Sequence, residues 1–155
     1  MPKEIPVRCY GVSAIVLRRR LKVETLLLKR VRSFNGQWCQ VAGGIESGET
    51  AWQAALREIR EETQLVPETL YSADLLERFY EIEKDAIWIA PVFVAFVKPD
   101  AEVSINEEHS DYRWMSFRKA LSILPFPGQR EILRRVQESF VRRKPLDLLQ
   151  ISGMR

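Results

Sequence analysis

The chain has 155 residues, room for one domain with a core of its own and hardly for two. Its 46% apolar and 29% charged residues fit a folded globular chain and rule out a disordered one. The formal charge of +3 hides an uneven layout: +7 over residues 1–42, −3 over 43–65, −7 over 66–115 and +6 over 116–155.

No apolar run approaches the roughly 18–20 residues that span a bilayer. The longest stretch, residues 87–97, has strand length and carries Pro91. Lys3 and Glu4 precede a short strand-like run rather than the apolar core of a signal peptide, so a cytoplasmic protein without a membrane partner is expected. Cys9 and Cys39 lie in apolar stretches with no metal-ligand spacing and read as buried free thiols. The basic C-terminal segment lacks aromatic-interleaved or zinc-finger patterns, so nucleic acid is not an expected partner.

In chain order, residues 7–17 are rich in β-branched side chains and predict one strand, with Arg18, Arg19 and Arg20 beginning a turn. Thr25 to Leu28 predict a buried strand ending in Lys29 and Arg30. A loop through Ser33, Phe34, Asn35 and Gly36 follows, then extended structure at Trp38 to Val41 and a glycine-rich turn over residues 42–49. Residues 50–63 contain neither Gly nor Pro, and Trp52, Ala55, Leu56, Ile59 and Thr63 recur at helical spacing; Thr50 is the expected N-cap. Strands are predicted over 75–82, 87–97 and 112–115. Ser116 caps a helix ending near Leu124, and a last helix over 129–141 buries Ile132, Leu133, Val136 and Phe140. The expected class is α/β (α+β), a mixed sheet sandwiched between helices, with a single domain over 1–144 and a C-terminal tail over 145–155.

On the helix, Glu58, Glu61 and Glu62 fall at i, i+3 and i+4 and are expected on one face, opposite the Ala55/Ile59 stripe. Three carboxylates so close repel one another, and an oxygen-preferring cation such as Mg²⁺ or Mn²⁺ relieves that repulsion. The alternative is an exposed acidic face with ordinary arginine pairs. Arg57 can reach Glu61 on the next turn or Glu49 in the preceding loop. Gly43, Gly44 and Gly48 permit backbone conformations that let carbonyl oxygens also face a metal.

Read together, Gly43, five residues, Glu49, seven residues, then Arg57-Glu58-Ile59-Arg60-Glu61-Glu62-Thr63-Gln64-Leu65 resembles the Nudix box, GX5EX7REUXEEXGU with U aliphatic. Gln64 stands where the box has a glycine, which normally ends the helix in a left-handed turn. The resemblance implies the Nudix fold and a Mg²⁺- or Mn²⁺-dependent hydrolase that attacks a pyrophosphate bond with water. It also implies a cation held by Glu58, Glu61 and Glu62, with Glu108 as the ligand or base from outside the box and Glu58 and Arg57 among the catalytic set.

The Glu107-Glu108-His109 run before Tyr112-Arg113-Trp114 is similar to the dATP and dihydroneopterin triphosphate branch, with His109 as a loop or substrate-contact residue rather than a ligand. By the same likeness Arg30 contacts phosphate; Gly43 and Gly44, with their open backbone, are expected to line the substrate site. Arg8 is a further candidate phosphate contact. Phe34 and Trp38 can stack on a base, and Trp38 can equally serve packing. The expected activity releases pyrophosphate and a monophosphate from a nucleoside triphosphate. Tyr80, where the ADP-ribose branch has a proline, leaves dinucleoside polyphosphates and triphosphorylated RNA ends as the alternative, and a non-catalytic binding module as another. A homodimer is compatible with the family and is not fixed by the residues.

Overall fold

The computed structural model describes residues 1–153. Eight strands form one sheet: β1 (Val7–Arg8), β2 (Gly11–Arg19), β3 (Val23–Arg30), β4 (Trp38–Cys39), β5 (Val41–Gly44), β6 (Thr69–Glu81), β7 (Ala86–Val97) and β8 (His109–Met115). Helix α1 (Ala51–Thr63) covers one face. Helices α2 (Phe117–Ile123) and α3 (Pro127–Val136) cover the other, and α3 widens into a π-helical turn at Gln137–Arg142. The sheet is mixed, as expected: β1 and β2 run parallel to β7, and the remaining pairs are antiparallel.

Strands β2, β3 and β7 are buried on both sides, which is why they read as near-continuous apolar runs. Val12, Ala14, Val16, Leu26, Leu28, Phe93 and Ala95 pack with Ala54, Ala55 and Ile59 of α1. Their alternates Ile15, Leu17, Leu27, Val92, Val94 and Phe96 pack with Phe117, Ala120, Leu133, Val136 and Phe140. One edge of β2 is shared. Its residues from Leu17 to Arg19 pair with β3, while those from Gly11 to Ala14 pair with β5. The fork this creates brings the ends of β3, β5 and β8 beside α1.

Several sequence expectations need correction. The strand over 7–17 is broken at Cys9 and Tyr10, because four residues lie between Arg8 and Ser13 where β7 has three between their partners Trp88 and Val92. Cys9 is consequently exposed, and only Cys39 is a buried thiol. Arg18 and Arg19 belong to β2 rather than to a turn: Arg18 pairs with Glu24 at 2.9 Å and stacks on Trp114, while Arg19 lies over Phe96. Gly43 and Gly44 are strand residues of β5, not turn residues, whereas Gly48 (φ +86°) does need the left-handed region.

Strand β6 begins at Thr69, six residues before the expected start, and is interrupted by a bulge between Ser72 and Leu76, where Asp74 has φ 57°. The strand expected over 112–115 starts at His109. Helix α3 starts at Pro127, two residues early; Leu133, Val136 and Phe140 are buried as expected, and Ile132 is half-buried. Beyond residue 144 the chain runs back along β6, where the Ile151 N–H donates to the Leu70 carbonyl at 2.8 Å.

Both predicted caps are present. The Thr50 side chain accepts from the Gln53 N–H while the Gln53 side chain accepts from the Thr50 N–H, and Ser116 accepts from Lys119. Gln64 ends α1 in the left-handed conformation itself, at φ 61° and ψ 12°, with its N–H donating to the Arg60 carbonyl at 2.8 Å. The substitution has therefore kept the motif's geometry and accepted its strain.

Candidate active site

The carboxylates of α1 do not sit opposite the core stripe. At about 100° per residue, Glu62 lies only about 60° from Ile59, Glu58 about 100° and Glu61 about 160°. Glu62 (3% exposed) and Glu58 (9%) are accordingly buried at the flank of the packed face, and Glu61 alone points outward. This burial excludes the exposed acidic face as an account of Glu58 and Glu62.

Strand β5 makes room for them. A Cβ on Gly43 would stand 2.1 Å from Cδ of Glu58, so only a glycine lets the carboxyl lie against the backbone there. The Ala42 backbone also bonds the Glu62 carboxylate. Arg57 ties the box together: Nη2 donates to Glu49 Oε1 and to the Gly44 carbonyl, both at 2.7 Å, and Nη1 donates to Glu58 at 2.7 Å and Glu61 at 3.3 Å. Glu49 itself accepts from the Glu46 N–H, tying the loop to the arginine. Arg57 thus reaches both partners expected of it, and Glu49 in turn holds the guanidinium firmly protonated.

The third wall comes from the far end of the chain. Arg30 of β3 pairs across a bulge with His109 of β8, and the Val31 N–H donates to the Glu108 carbonyl at 3.3 Å. Side-chain oxygens of Glu62 and Glu108 and a ring nitrogen of His109 fall within 4.8 Å of one another. His109 is a buried strand residue rather than a loop residue. It is 8% exposed, its Nε2 lies 3.5 Å from Glu62 Oε1, and burial lowers its pKa against the pull of Glu108. Only the pairing of β3 with β8 makes it visible, since nothing local separates it from a polar loop.

Burial, then the charges of Glu58 and Glu108, push the Glu62 carboxyl up to about 9. Burial likewise raises Glu58, although Arg57 opposes it. Glu62 Oε2 and His109 Nδ1 are buried and have no hydrogen-bond partner among the described residues. An orphaned oxygen facing further carboxylates fits a hard divalent cation, whose charge would reverse the repulsion.

Arg30 donates to the Ser33 carbonyl and hydroxyl, both at 2.8 Å, with its guanidinium 5.7 Å from the Phe34 ring. Arg8 lies apart on β1, against the Tyr10 hydroxyl at 3.4 Å. Glu107 is exposed. Trp38 sits between the cations of Lys29 and Arg113 and packs on the α2/α3 side of the sheet.

Residues 7–136 match the NUDIX domain family. The chain belongs to that family. Among relatives of the Nudix chain, an octanoyltransferase of Myxococcus xanthus is 35% identical over 133 residues, 84% of this chain and 36% of that protein. The nucleoside triphosphatase NudI of Escherichia coli O139:H28 is 39% identical over 90 residues, 53% of this chain and 63% of NudI. The Nudix chain therefore spans from about a third to just under two thirds of the length of these curated relatives. A C. elegans Ap4A hydrolase superposes with a TM-score of 0.72 at 25% identity, covering 83% of this chain and 94% of that one. No helix among the described residues is long and apolar enough to cross a membrane.

Proposed function

We propose that this Nudix chain hydrolyses a pyrophosphate linkage in a nucleoside triphosphate, releasing pyrophosphate and a monophosphate in the cytoplasm. The observation that carries the reading is Glu62: a buried carboxyl with a partnerless oxygen, opposed by Glu58 and Glu108 and useful only when a cation is present. Glu58, Glu61, Glu62 and Glu108 would hold Mg²⁺ or Mn²⁺. When bound, such an ion neutralises phosphate charge and lowers the pKa of a coordinated water.

The chain's own residues supply the rest. Glu108 is exposed at the mouth and accepts the proton of the attacking water on a carboxylate oxygen. Arg57 is a positioning residue, fixing the orientation of Glu58 and Glu61 while satisfying Glu49. Arg30 presents a planar fork that can leave Ser33 for phosphate oxygens, with Gly43 and Gly44 leaving the backbone open beside them. Arg8 assists only by reaching from β1. The name of the relative NudI agrees with a triphosphate substrate. The likeness to an Ap4A hydrolase favours dinucleoside polyphosphates as the second reading, and Tyr80, an exposed strand residue donating to Asp85, is compatible with it.

Purified protein incubated with Mg²⁺ and nucleoside triphosphates, dihydroneopterin triphosphate, diadenosine polyphosphates or ADP-ribose, with chromatography of the products, tests both. Pyrophosphate from a triphosphate is the expected result. Cleavage of diadenosine polyphosphates alone would transfer the assignment to the second reading, and no turnover of any of them would reject hydrolysis.

A further inference from the structure

On the side of the sheet opposite α1, Ser13, Glu77 and Gln129 of α3 are linked by hydrogen bonds, and the buried amide of Gln40 is turned to the same side. Gln40 lies between Cys39 and Val41, which both pack toward α1, so its amide is turned to the other face. It is 7% exposed, and among the described residues neither its Nε2 nor its Oε1 has a partner. Ser13, 5% exposed between Val12 and Ala14, projects to the same face. Glu77 stands opposite Ala90, accepts from Gln129 Nε2 at 3.4 Å and bonds the Ser13 side chain. Gln129 Oε1 is also orphaned.

Buried amide atoms without partners destabilise a fold unless something meets them. Glu77 and Gln129 remain partly accessible, so a ligand can reach the group. Gln40 is three residues before Gly43, about 10 Å along an extended strand, which is the length of a nucleoside. Phe34 and Phe126 meet edge to face at 5.1 Å at the same end of α3, both exposed, and offer ring surface for stacking.

We propose that Gln40, Ser13, Glu77 and Gln129 form the base-reading subsite, and that it takes a heterocycle with a 2-amino-oxo lactam edge, the edge guanine shares with pterins. That edge presents a ring N–H and an exocyclic amine side by side next to a carbonyl. Glu77 accepts the two donors together, and the Gln40 amide donates to the carbonyl. Adenine and cytosine set a ring-nitrogen lone pair beside their amine, which would face the Glu77 oxygens and repel them. The assignment rests on the nucleotide reading above. It adds to that reading which base is accepted and which residues decide it, since a site built to pair a polar edge rejects analogues that leave its buried groups unpaired.

Titrating the full chain with GMP, AMP, CMP, UMP and neopterin in EDTA, by calorimetry, reads the base without hydrolysis. GMP, neopterin or both are expected to bind at least about tenfold more tightly than the other three. Glu77→Gln and Gln40→Leu are each expected to reduce that margin to about threefold or less while AMP binding stays unchanged. GMP alone would name guanine, and neopterin alone would name a pterin. Equal binding of all five probes, binding of none, or a preference surviving both substitutions overturns the subsite. Turnover of the matching triphosphates with Mg²⁺ is scored separately. Hydrolysis without base preference removes the subsite and leaves the hydrolase, and base preference without hydrolysis does the reverse.

Discussion

Gly43 and Glu58 touch at a point where a methyl group has no room. Gly43→Ala would place Cβ 2.1 Å from the Glu58 Cδ, so the carboxyl must leave its seat. Turnover should fall at least about tenfold, roughly 1.4 kcal/mol of barrier, with the thermal midpoint within a few degrees of wild type. Unchanged turnover would show that the seat does not matter. Glu62 makes a prediction about pH. Its carboxyl is held near 9 in the fold, against an ordinary value of 4.5 in the unfolded chain. Between those values the unfolded state releases a proton that the folded state keeps, so stability of the metal-free protein should fall as pH rises from about 5 to 9. Thermal melts in EDTA across that range should slope downward. Glu62→Gln should flatten the slope, and saturating Mg²⁺ should restore stability at the alkaline end because a cation favours the ionised form. Identical slopes for variant and wild type would contradict a buried neutral Glu62.

Helix α1 was the most legible element, because its signals are local: a capping residue, a 13-residue run without breakers, and apolar residues at helical spacing. Its end carries the one departure from the motif. Gln64 occupies the left-handed region that a glycine adopts without strain, so Gln64→Gly should stabilise the protein by up to about 1 kcal/mol, a rise of about 2–4 °C in Tm, without altering turnover. A lower Tm would mean that Gln64 makes a compensating contact. Strand boundaries were less legible. The break at Cys9 and Tyr10, and the bulge that sets Asp74 at φ 57°, arise from register against β7, which no short window of sequence contains. Helix α3 fastens the opposite layer, and Leu133→Ala, removing a side chain with 0% exposure, should cost about 2–5 kcal/mol by urea denaturation.

Across the whole molecule, the charge layout resolves into distinct roles. The −3 block is the box itself, with two of its acids buried in the fold. The −7 block supplies Glu108 at the cation cluster and Glu77 on the opposite face, and places Asp85 against Lys3, 82 residues away. The +6 block is mostly surface pairing, as between Arg134 and Glu131 or between Arg142 and Glu138, and such exposed pairs contribute little stability. The two cysteines part company for the same long-range reason. Cys9 is exposed, while burial holds the Cys39 thiol at about 12. A disulfide-exchange reagent should therefore modify one thiol of the native chain promptly and the second only on unfolding, and Cys9→Ser should abolish the fast phase. Two fast-reacting thiols would place Cys39 nearer the surface than its packing against Leu28 implies.

The family, the box helix and its caps, and the identity of the acids could be read along the chain because each depends on residues within a few turns of one another. Where those acids point could not. Glu62 is buried with one carboxylate oxygen unpartnered because β5 lies across α1 and because Glu108 and His109 arrive some 46 residues later through the pairing of β8 with β3. A carboxylate's protonation and a histidine's neighbours are set by groups distant in sequence and close in space. Spacing along the chain named the residues that would meet, and the register of strands set the distances and the dielectric in which they do so.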